Sequence, residues 1–203
     1  MGEAVPEVLK FEVGTFENNC YIVNCPRTLE SLIIDPAAEP EKILQKVKGR
    51  KVKAILLTHG HSDHVGGLAK VRAATGAPLG IHPADSRTFG IKGDFDLEDG
   101  ASIRFGECAL KVLHTPGHSP GGVCFLMGKN LITGDTIFPG GPGNTALPHA
   151  DRDQILRSIW EKIFVLPEDT LIQPGHGRDT TVGREKASTL YEPRPEALRS
   201  TFE

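Results

Sequence analysis

One short segment of the chain carries four side chains that can bind a metal ion within six residues. His59 and His61 lie two residues apart and can point the same way from an extended turn. Asp63 and His64 follow at the start of an apolar helical pattern, where they can bind a second ion. Imidazole nitrogens combined with carboxylate oxygens are typical ligands of zinc, iron and manganese. The segment therefore predicts a transition-metal centre.

Three further potential ligands follow apolar runs elsewhere in the chain. His118, Asp135 and His176 each come within a few residues of a short run typical of a β-strand, as does the segment that begins at His59. If these four strands share a sheet and end at one edge, all seven side chains meet there, where open α/β folds place their sites. Seven ligands exceed the four of a closed structural zinc site, so the sequence predicts two ions.

The other three histidines have no cluster of potential ligands around them in the sequence. A single histidine after a strand is more often a hydrogen-bonded loop residue than a ligand. We therefore assign His82, His114 and His149 to structure or surface. His114 lies at a strand end close to His118 and is the one that could support a ligand as a hydrogen-bond partner.

The four cysteines give no sign of a disulfide framework or a redox motif. None forms a Cys-x-x-Cys pair, and nothing electropositive beside them in sequence would lower a thiol pKa. We interpret them as buried structural residues in a reducing, cytoplasmic compartment. They are Cys20, Cys25, Cys108 and Cys124.

Short apolar runs alternate with helical patterns from end to end, which favours one α/β layered domain. The predicted helices are a segment opened by Pro40 and ended by Gly49, a segment from Val65 to Thr75, and a segment from Asp151 to Phe164. The predicted strands are Tyr21–Val23, Leu32–Ile34, Ala54–Leu57, Leu110–Leu113, Val123–Met127, Asn130–Thr133 and Thr170–Ile172.

Composition excludes several classes of partner. The 203 residues include 23 basic and 26 acidic ones, for a net charge of -3, and contain no basic run that could follow a nucleic acid backbone. The N-terminal residues lack the basic and apolar regions of a signal peptide, and no apolar stretch is long enough to span a bilayer. We expect a cytoplasmic protein with no nucleic acid or membrane partner; the patterns indicate no particular oligomeric state.

Together these motifs resemble the metallo-β-lactamase-fold superfamily, and more closely its small glyoxalase II-like hydrolases. The resemblance runs from Asn19 to Gly177. It implies an α/β fold of four layers, αββα, in a single domain over residues 1–203 with a short tail after residue 178. The motifs that carry it are Thr58–His64, Thr115–His118, Thr133–Thr136 and Pro174–Gly177.

The resemblance also implies a role for each ligand. His59, His61 and His118 would hold the first metal, Asp63, His64 and His176 the second, and Asp135 would bridge them. The cofactors would be two divalent transition-metal ions, zinc in the first place and iron or manganese otherwise. Asp63 would also be catalytic, because it can orient the nucleophile and take its proton.

The activity implied is hydrolysis of a small-molecule acyl substrate, with a hydroxide shared between the metals attacking an acyl carbonyl. A thioester of the S-acylglutathione type or a related ester fits first. Compared with glutathione-using relatives, the chain has only a short tail, and Pro142 and Asn144 stand where a cysteine and a basic residue are common. These differences indicate weaker selection for glutathione.

Four other activities remain open to different degrees. A lactonase uses nearly the same ligands. A persulfide dioxygenase holds a single iron at the positions of His59, His118 and Asp135, but the Pro-Gly-His-Gly sequence around His176 disfavours it. A true β-lactamase is disfavoured by Asp135, and a non-catalytic metal-binding module by the large number of ligands.

Overall fold

The strands of the chain form two six-stranded sheets that pack face to face. The computed structural model describes residues 4–192. The first sheet contains, in spatial order, β1 (Glu7–Val13), β2 (Asn18–Asn24), β3 (Glu30–Ile34), β4 (Lys51–Leu56), β5 (Leu79–Ile81) and β6 (Phe95–Asp96). The second contains, in chain order, β7 (Ser102–Phe105), β8 (Cys108–His114), β9 (Val123–Met127), β10 (Asn130–Gly134), β13 (Leu171–Pro174) and β14 (Thr180–Thr181). A small hairpin of β11 (Ile137–Phe138) and β12 (Gly141–Pro142) lies between β10 and β13 in the chain.

Both sheets are mixed. In the first, β1 to β3 are antiparallel and β3 to β6 are parallel, with helices in the crossovers. In the second, β7 to β10 are antiparallel and β13 pairs in parallel with β10. The helices are α1 (Pro40–Lys46), α2 (Ser62–Val65), α3 (Leu68–Thr75), α4 (Pro83–Phe89), α5 (Arg152–Ser158) and α6 (Val182–Lys186). None of the helices in residues 4–192 is long and apolar enough to cross a membrane.

Alternation along the strands produces the layers, because successive side chains of a strand point to opposite faces. Tyr21 and Val23 of β2 lie in the core between the sheets, whereas Ile22 between them packs under the helices of the first sheet. In the second sheet, Phe125 faces the central core and Cys124 faces the layer of α5. Both faces of each sheet are thus buried. The prediction of a four-layer αββα sandwich is confirmed.

The predicted continuous helix from Val65 to Thr75 is wrong. Helix α2 ends at Val65 and α3 begins at Leu68, with Gly66 and Gly67 between them. These glycines press against the segment after β3: a Cβ on Gly66 would lie 2.5 Å from the Ala37 carbonyl oxygen. The close backbone contact interrupts the helix, and it places α2 by itself at the end of β4.

The third predicted helix is present with one change of geometry. Helix α5 covers its first half, and a π-helical turn at Ile159–Ile163 continues it. The expected tail after residue 178 is also folded in its first part. Thr180 and Thr181 pair with β13, and Tyr191 is fully buried. The rest of that tail, residues 193–203, lies outside the described residues.

Candidate metal centre

The seven predicted ligands lie together, but they come from two sheets rather than one. The segment from His59 to His64 follows β4 of the first sheet. His118, Asp135 and His176 follow β8, β10 and β13 of the second sheet. The expectation of one shared sheet is therefore wrong. The ligands meet because both sheets of the sandwich end at the same edge, where the Val123 amide donates to the Thr58 carbonyl, 2.8 Å away, across the two sheets.

The ligands form two groups. In the three-histidine group, made of His59, His61 and His118, one nitrogen of each ring lies within 4.8 Å of the others. Nδ1 of His61 and Nε2 of His118 are only 2.9 Å apart. The mixed group consists of Asp63, His64 and His176 and is equally compact. Its carboxylate oxygen Oδ2 lies 3.4 Å from Nε2 of His176 and 3.6 Å from Nε2 of His64.

Asp135 lies between the two groups. One of its oxygens is 3.4 Å from Nε2 of His64, and the other is 3.6 Å from Nε2 of His118 and 3.7 Å from Nε2 of His176. It is the only one of the seven whose carboxylate approaches histidines of both groups in these contacts. This is the position that a bridging carboxylate requires.

Hydrogen bonds from outside the groups fix which nitrogen points inward in His64, His118 and His176. Nδ1 of His118 donates to the Asn144 carbonyl and Nδ1 of His176 to the Phe16 carbonyl, each over 2.9 Å. Nδ1 of His64 faces a carboxylate oxygen of Asp35 at 3.0 Å. A proton held at Nδ1 leaves Nε2 free for a metal, which is the usual arrangement of metal-binding histidines.

The tautomer of His59 follows from its neighbour. The Thr58 hydroxyl donates its single proton to Asp35, 2.6 Å away. Its oxygen, 3.0 Å from Nδ1 of His59, can therefore act only as an acceptor for that ring. Nε2 of His59 is left with a lone pair directed into the site.

Three buried atoms at the centre of the site make no hydrogen bond, although two of them lie 3.4 Å apart as an ion pair. They are Nε2 of His59, Nε2 of His64 and Oδ1 of Asp135. Buried polar atoms are nearly always satisfied, so a cluster of exceptions needs an explanation. Divalent ions between the two groups would satisfy all three, and the nitrogen and oxygen donors suit zinc, iron or manganese. The residues present thus fit a metal centre.

Two rings of the three-histidine group, those of His59 and His61, have lowered pKa values. Burial lowers the pKa of His59, and neighbouring imidazoles lower it further. Burial and the nearby His118 likewise lower the pKa of His61 to about 4. Both rings therefore present unprotonated nitrogens near neutral pH, which is the form that binds metals.

The mixed group instead contains ion pairs. Burial opposes the charged form of His64, but Asp135 and Asp35 outweigh it and raise the pKa of His64 to about 10. The hydrogen bond with His176 holds the pKa of Asp63 well below its usual value, and the same contact raises the pKa of His176. In the metal-free protein, protons therefore occupy positions that a metal would take.

Asp35 supports the site and was not singled out from the sequence. It forms a compact group with His59 and His64 that could itself suggest a metal site. However, its two oxygens already accept hydrogen bonds from the amide and hydroxyl of Thr58 and face Nδ1 of His64. We therefore interpret it as a supporting residue. Its φ of 50° is uncommon for a residue other than glycine. An aspartate directly after an apolar strand was the available signal.

Asn18 and Asn19 also escaped the sequence interpretation. The Asn18 amide donates to Asp63 over 3.1 Å and lies 3.3 Å from Nε2 of His176. The Asn19 amide donates to the carbonyls of Pro174 and Gly177 over 2.8 and 3.0 Å. Both side chains are buried, and both connect the first sheet to the His176 loop. Two adjacent side-chain amides at the start of an apolar strand were the sequence feature that could have indicated this role.

The site opens at its mixed group. The side chains of Asp63 and His176 are each 28% exposed, whereas His59 and His64 are buried and form the floor. Phe138 of β11 stands against His176, with ring centroids 6.4 Å apart. Solvent or a substrate can therefore reach Asp63 and His176, and His61 is partly exposed as well.

The other histidines lie outside this arrangement. His82 and His114 stack on each other, with ring centroids 4.0 Å apart and an angle of 9° between the rings. Nε2 of His114 lies 3.1 Å from the Pro120 carbonyl, so His114 supports the loop after His118 and not the ligand ring itself. Burial and the neighbouring His114 lower the pKa of His82 to about 4.

The cysteines are free and buried, as expected for structural residues. The expectation considered only electropositive neighbours in sequence, and hydrogen bonds lower the pKa of Cys25 instead. Burial acts to raise its pKa, but hydrogen bonds from Thr28 and from the amides of Glu107 and Arg27 bring it to about 7. Thr28 and Arg27 lie in the turn that follows Cys25, whereas Glu107 comes from the second sheet and is not evident from the residues beside Cys25.

Comparison with known proteins identifies a family and relatives of similar sequence. The family model described as the metallo-beta-lactamase superfamily matches residues 13–176, a range that contains all seven ligands. The hydroxyacylglutathione hydrolase GloC of Haemophilus influenzae is 32% identical over 201 residues, which cover 88% of this chain and 94% of that protein.

Two solved structures are similar over most of their length. The B3 metallo-beta-lactamase BLEG-1 is 32% identical with a TM-score of 0.81, covering 90% of this chain and 97% of that one. The protein TTHA1623, solved in a di-iron-bound form, is 35% identical with a TM-score of 0.76, covering 88% of this chain and 97% of that one. The fold therefore has counterparts of known structure.

Proposed function

Since the chain belongs to the metallo-beta-lactamase superfamily, we propose that it is a dinuclear metal-dependent hydrolase of small acyl thioesters and esters. The observation that carries the proposal is the pair of ligand groups joined by Asp135, with unpartnered atoms directed between them. His59, His61 and His118 would hold the first ion, and Asp63, His64 and His176 the second. A closed structural site has no use for so many ligands.

Two divalent ions in these groups supply, when bound, Lewis acidity and a water acidic enough to attack an acyl carbon near neutral pH. Asp63 is the residue that contributes most beyond binding. It is partly exposed at the opening of the site, and the Asn18 amide fixes its orientation. From there its carboxylate can orient the attacking water and accept its proton.

The remaining ligands keep the floor of the site dry and rigid. His59 and His64 are buried, and their outer nitrogens are held by Thr58 and Asp35. Electrostatic groups act most strongly where water is excluded and where they need not reorganise during the reaction. A substrate carbonyl would approach from the opening beside Asp63 and His176.

A thioester is proposed ahead of other acyl compounds because a relative of 32% identity is named a hydroxyacylglutathione hydrolase. Zinc is proposed as the resident metal on the character of the ligands. Iron is the principal alternative, since the structure of TTHA1623 is described as a di-iron form.

A panel of substrates offered to the metal-loaded full-length chain tests the proposal. S-lactoylglutathione, a simple acyl thioester, an acyl-homoserine lactone and a chromogenic β-lactam would be compared by kcat/KM, and glutathione persulfide by oxygen uptake. We expect the thioesters to be turned over fastest. A faster lactone or lactam reaction, or oxygen uptake with persulfide, would replace the proposed substrate class.

Asp63→Asn provides the mechanistic control in the same assays. We expect it to lower kcat by at least about 100-fold, the usual contribution of a general base. Asp169→Asn is the matched control, because Asp169 is an exposed carboxylate paired with Lys129 away from the ligands. Unchanged turnover by Asp63→Asn would remove Asp63 from the mechanism.

A further inference from the structure

Asp85 is a buried carboxylate that belongs to neither ligand group. It lies on α4, the helix that follows β5 of the first sheet, and it is fully buried. Oδ2 accepts hydrogen bonds from the Gly60 amide over 2.8 Å and from the Ser119 hydroxyl over 2.7 Å. Oδ1 accepts one from the Gly121 amide over 2.5 Å. Both oxygens are thus occupied by donors and are not free for a metal.

The donors to Asp85 come from the two loops that carry the three-histidine group. Gly60 stands between His59 and His61, in the turn after β4 of the first sheet. Ser119 directly follows His118, in the loop between β8 and β9 of the second sheet. One side chain therefore connects the two loops that must approach each other for these histidines to share an ion.

Glycines allow α4 to come this close to both loops. A Cβ on Gly121 would lie 2.5 Å from the Asp85 backbone nitrogen. A Cβ on Gly60 would lie 2.3 Å from Cδ2 of Phe89, at the other end of α4. Phe89 also packs edge-on against the His61 ring, with centroids 5.0 Å apart. The helix thus contacts both loops although it provides no ligand.

The mixed group takes its support from other residues. His64 is held by Asp35, Asp63 by Asn18, and His176 by the Phe16 carbonyl. None of these contacts involves α4. Because a buried carboxylate is costly unless its hydrogen bonds are complete, removing Asp85 would leave its donors unsatisfied at the three-histidine loops and not at the mixed group.

We propose that Asp85 is a positioning residue that aligns the His59–His61 turn with His118, and so sets the affinity of the three-histidine group for its ion. The inference rests on the proposed function in assuming a metal in each group. Outer partners of ligands typically change metal affinity by about 10- to 100-fold. We expect Asp85→Asn to lower the metal affinity of the three-histidine group by this factor. The metal affinity of the mixed group should stay unchanged.

Two backgrounds separate the groups experimentally. His176→Ala leaves the three-histidine group complete, and His61→Ala leaves the mixed group complete. In each background, the metal-free full-length chain would be titrated with Zn²⁺ against a chromogenic chelator. Asp85→Asn is expected to lower the affinity for the remaining ion by about 10- to 100-fold in the first background and not in the second.

Ser119→Ala is a milder variant that removes one donor and keeps the carboxylate. It should lower the Zn²⁺ affinity in the His176→Ala background by a smaller factor than Asp85→Asn does. It therefore still tests the proposal if Asp85→Asn does not fold. Asp94→Asn is the control, because Asp94 also accepts a hydrogen bond from a backbone amide, that of Leu79, but it is exposed and paired with Arg72 rather than with either histidine loop. It should change neither affinity.

Equal weakening in both backgrounds, or a lower melting temperature of the metal-free protein with no change in affinity, would show that Asp85 only stabilises the fold and would overturn the proposal. Failure of the proposed function looks different. In that case the wild-type chain would bind fewer than two ions, or it would bind two and hydrolyse none of the acyl substrates.

Discussion

The two ligand groups differ in how their side chains contact one another. In the mixed group, carboxylates and imidazoles form ion pairs. Asp63 and Asp135 each pair with His64 and with His176. The three-histidine group has no carboxylate of its own, and its rings contact one another, with Nδ1 of His61 and Nε2 of His118 2.9 Å apart. Such a group depends on its surroundings for its geometry. The geometry of each group therefore depends on the residues that hold its ligands as well as on the ligands themselves.

Asp135→Asn is expected to have the largest effect, because it breaks the contact between the two groups. Since loss of an outer partner of a ligand already costs about 10- to 100-fold in metal affinity, loss of Asp135 should cost more than about 100-fold at both groups. Acyl hydrolysis should fall at least in proportion. Chelator competition and kcat measure the two effects, and a variant that loses only one ion would show that Asp135 does not bridge.

Asp35→Ala removes the support that the groups share on the first sheet. Three contacts are lost, two with Thr58 and one with His64, in a fully buried position. We expect unfolding free energy to fall by about 3 kcal/mol, because each unsatisfied buried partner costs about 1–3 kcal/mol and the chain relaxes in part.

Denaturant unfolding of the metal-free protein measures the effect of Asp35→Ala. Asp35→Asn, which keeps one acceptor oxygen, is the graded control and should lose less. Equal stability of the wild type and Asp35→Ala would mean that the site holds its shape without this carboxylate.

Substitution of Glu185 tests whether the C-terminal segment stabilises the hairpin beside the site. Its buried carboxylate accepts hydrogen bonds from Thr180, from the Gly140 amide in the hairpin beside the site, and from the Tyr191 hydroxyl. Glu185→Ala is expected to destabilise the protein by about 2 kcal/mol. Glu185→Gln can still satisfy all three groups if its amide donates to Thr180, so its thermal unfolding should stay close to wild type. Comparable loss in both variants would mean that the charge itself is needed.

His82, which stacks on His114, lies outside both ligand groups, and burial changes its pKa. Its substitution is expected to have the smallest effect. Burial lowers the pKa of His82 to about 4, below the usual 6.5 of a histidine. The unfolded chain therefore binds more protons between these values, and the contribution of His82 to stability is lost as pH falls from 6.5 to 4.

His82→Gln should make this pH dependence shallower in the metal-free protein, by about 1 kcal/mol or less over the window, since the ring is only half-buried. Unfolding of both proteins at pH 6.5 and pH 4.5 gives the comparison. The same slope in both would assign the acid sensitivity to other groups.

Sequence reasoning succeeded where structure is local. The run from His59 to His64 is contiguous, and alternating strands and helices correctly predicted an α/β layered domain, whereas the four-layer order came from the family resemblance. It failed where separate segments meet. The distribution of the ligand strands over two sheets depends on strand pairing, and the break at Gly66 and Gly67 depends on a contact with the segment after β3. Asp35, Asn18 and Asp85 act through partners 23 or more positions away in the chain, which no local pattern specifies.

Counting the metal ions retained by the chain tests the central claim most directly. The full-length protein would be freed of metal, loaded with excess Zn²⁺, desalted and analysed for metal and protein content. The two groups joined by Asp135 predict about two ions per chain, as in dinuclear hydrolases. One ion per chain, or none, would contradict a dinuclear site.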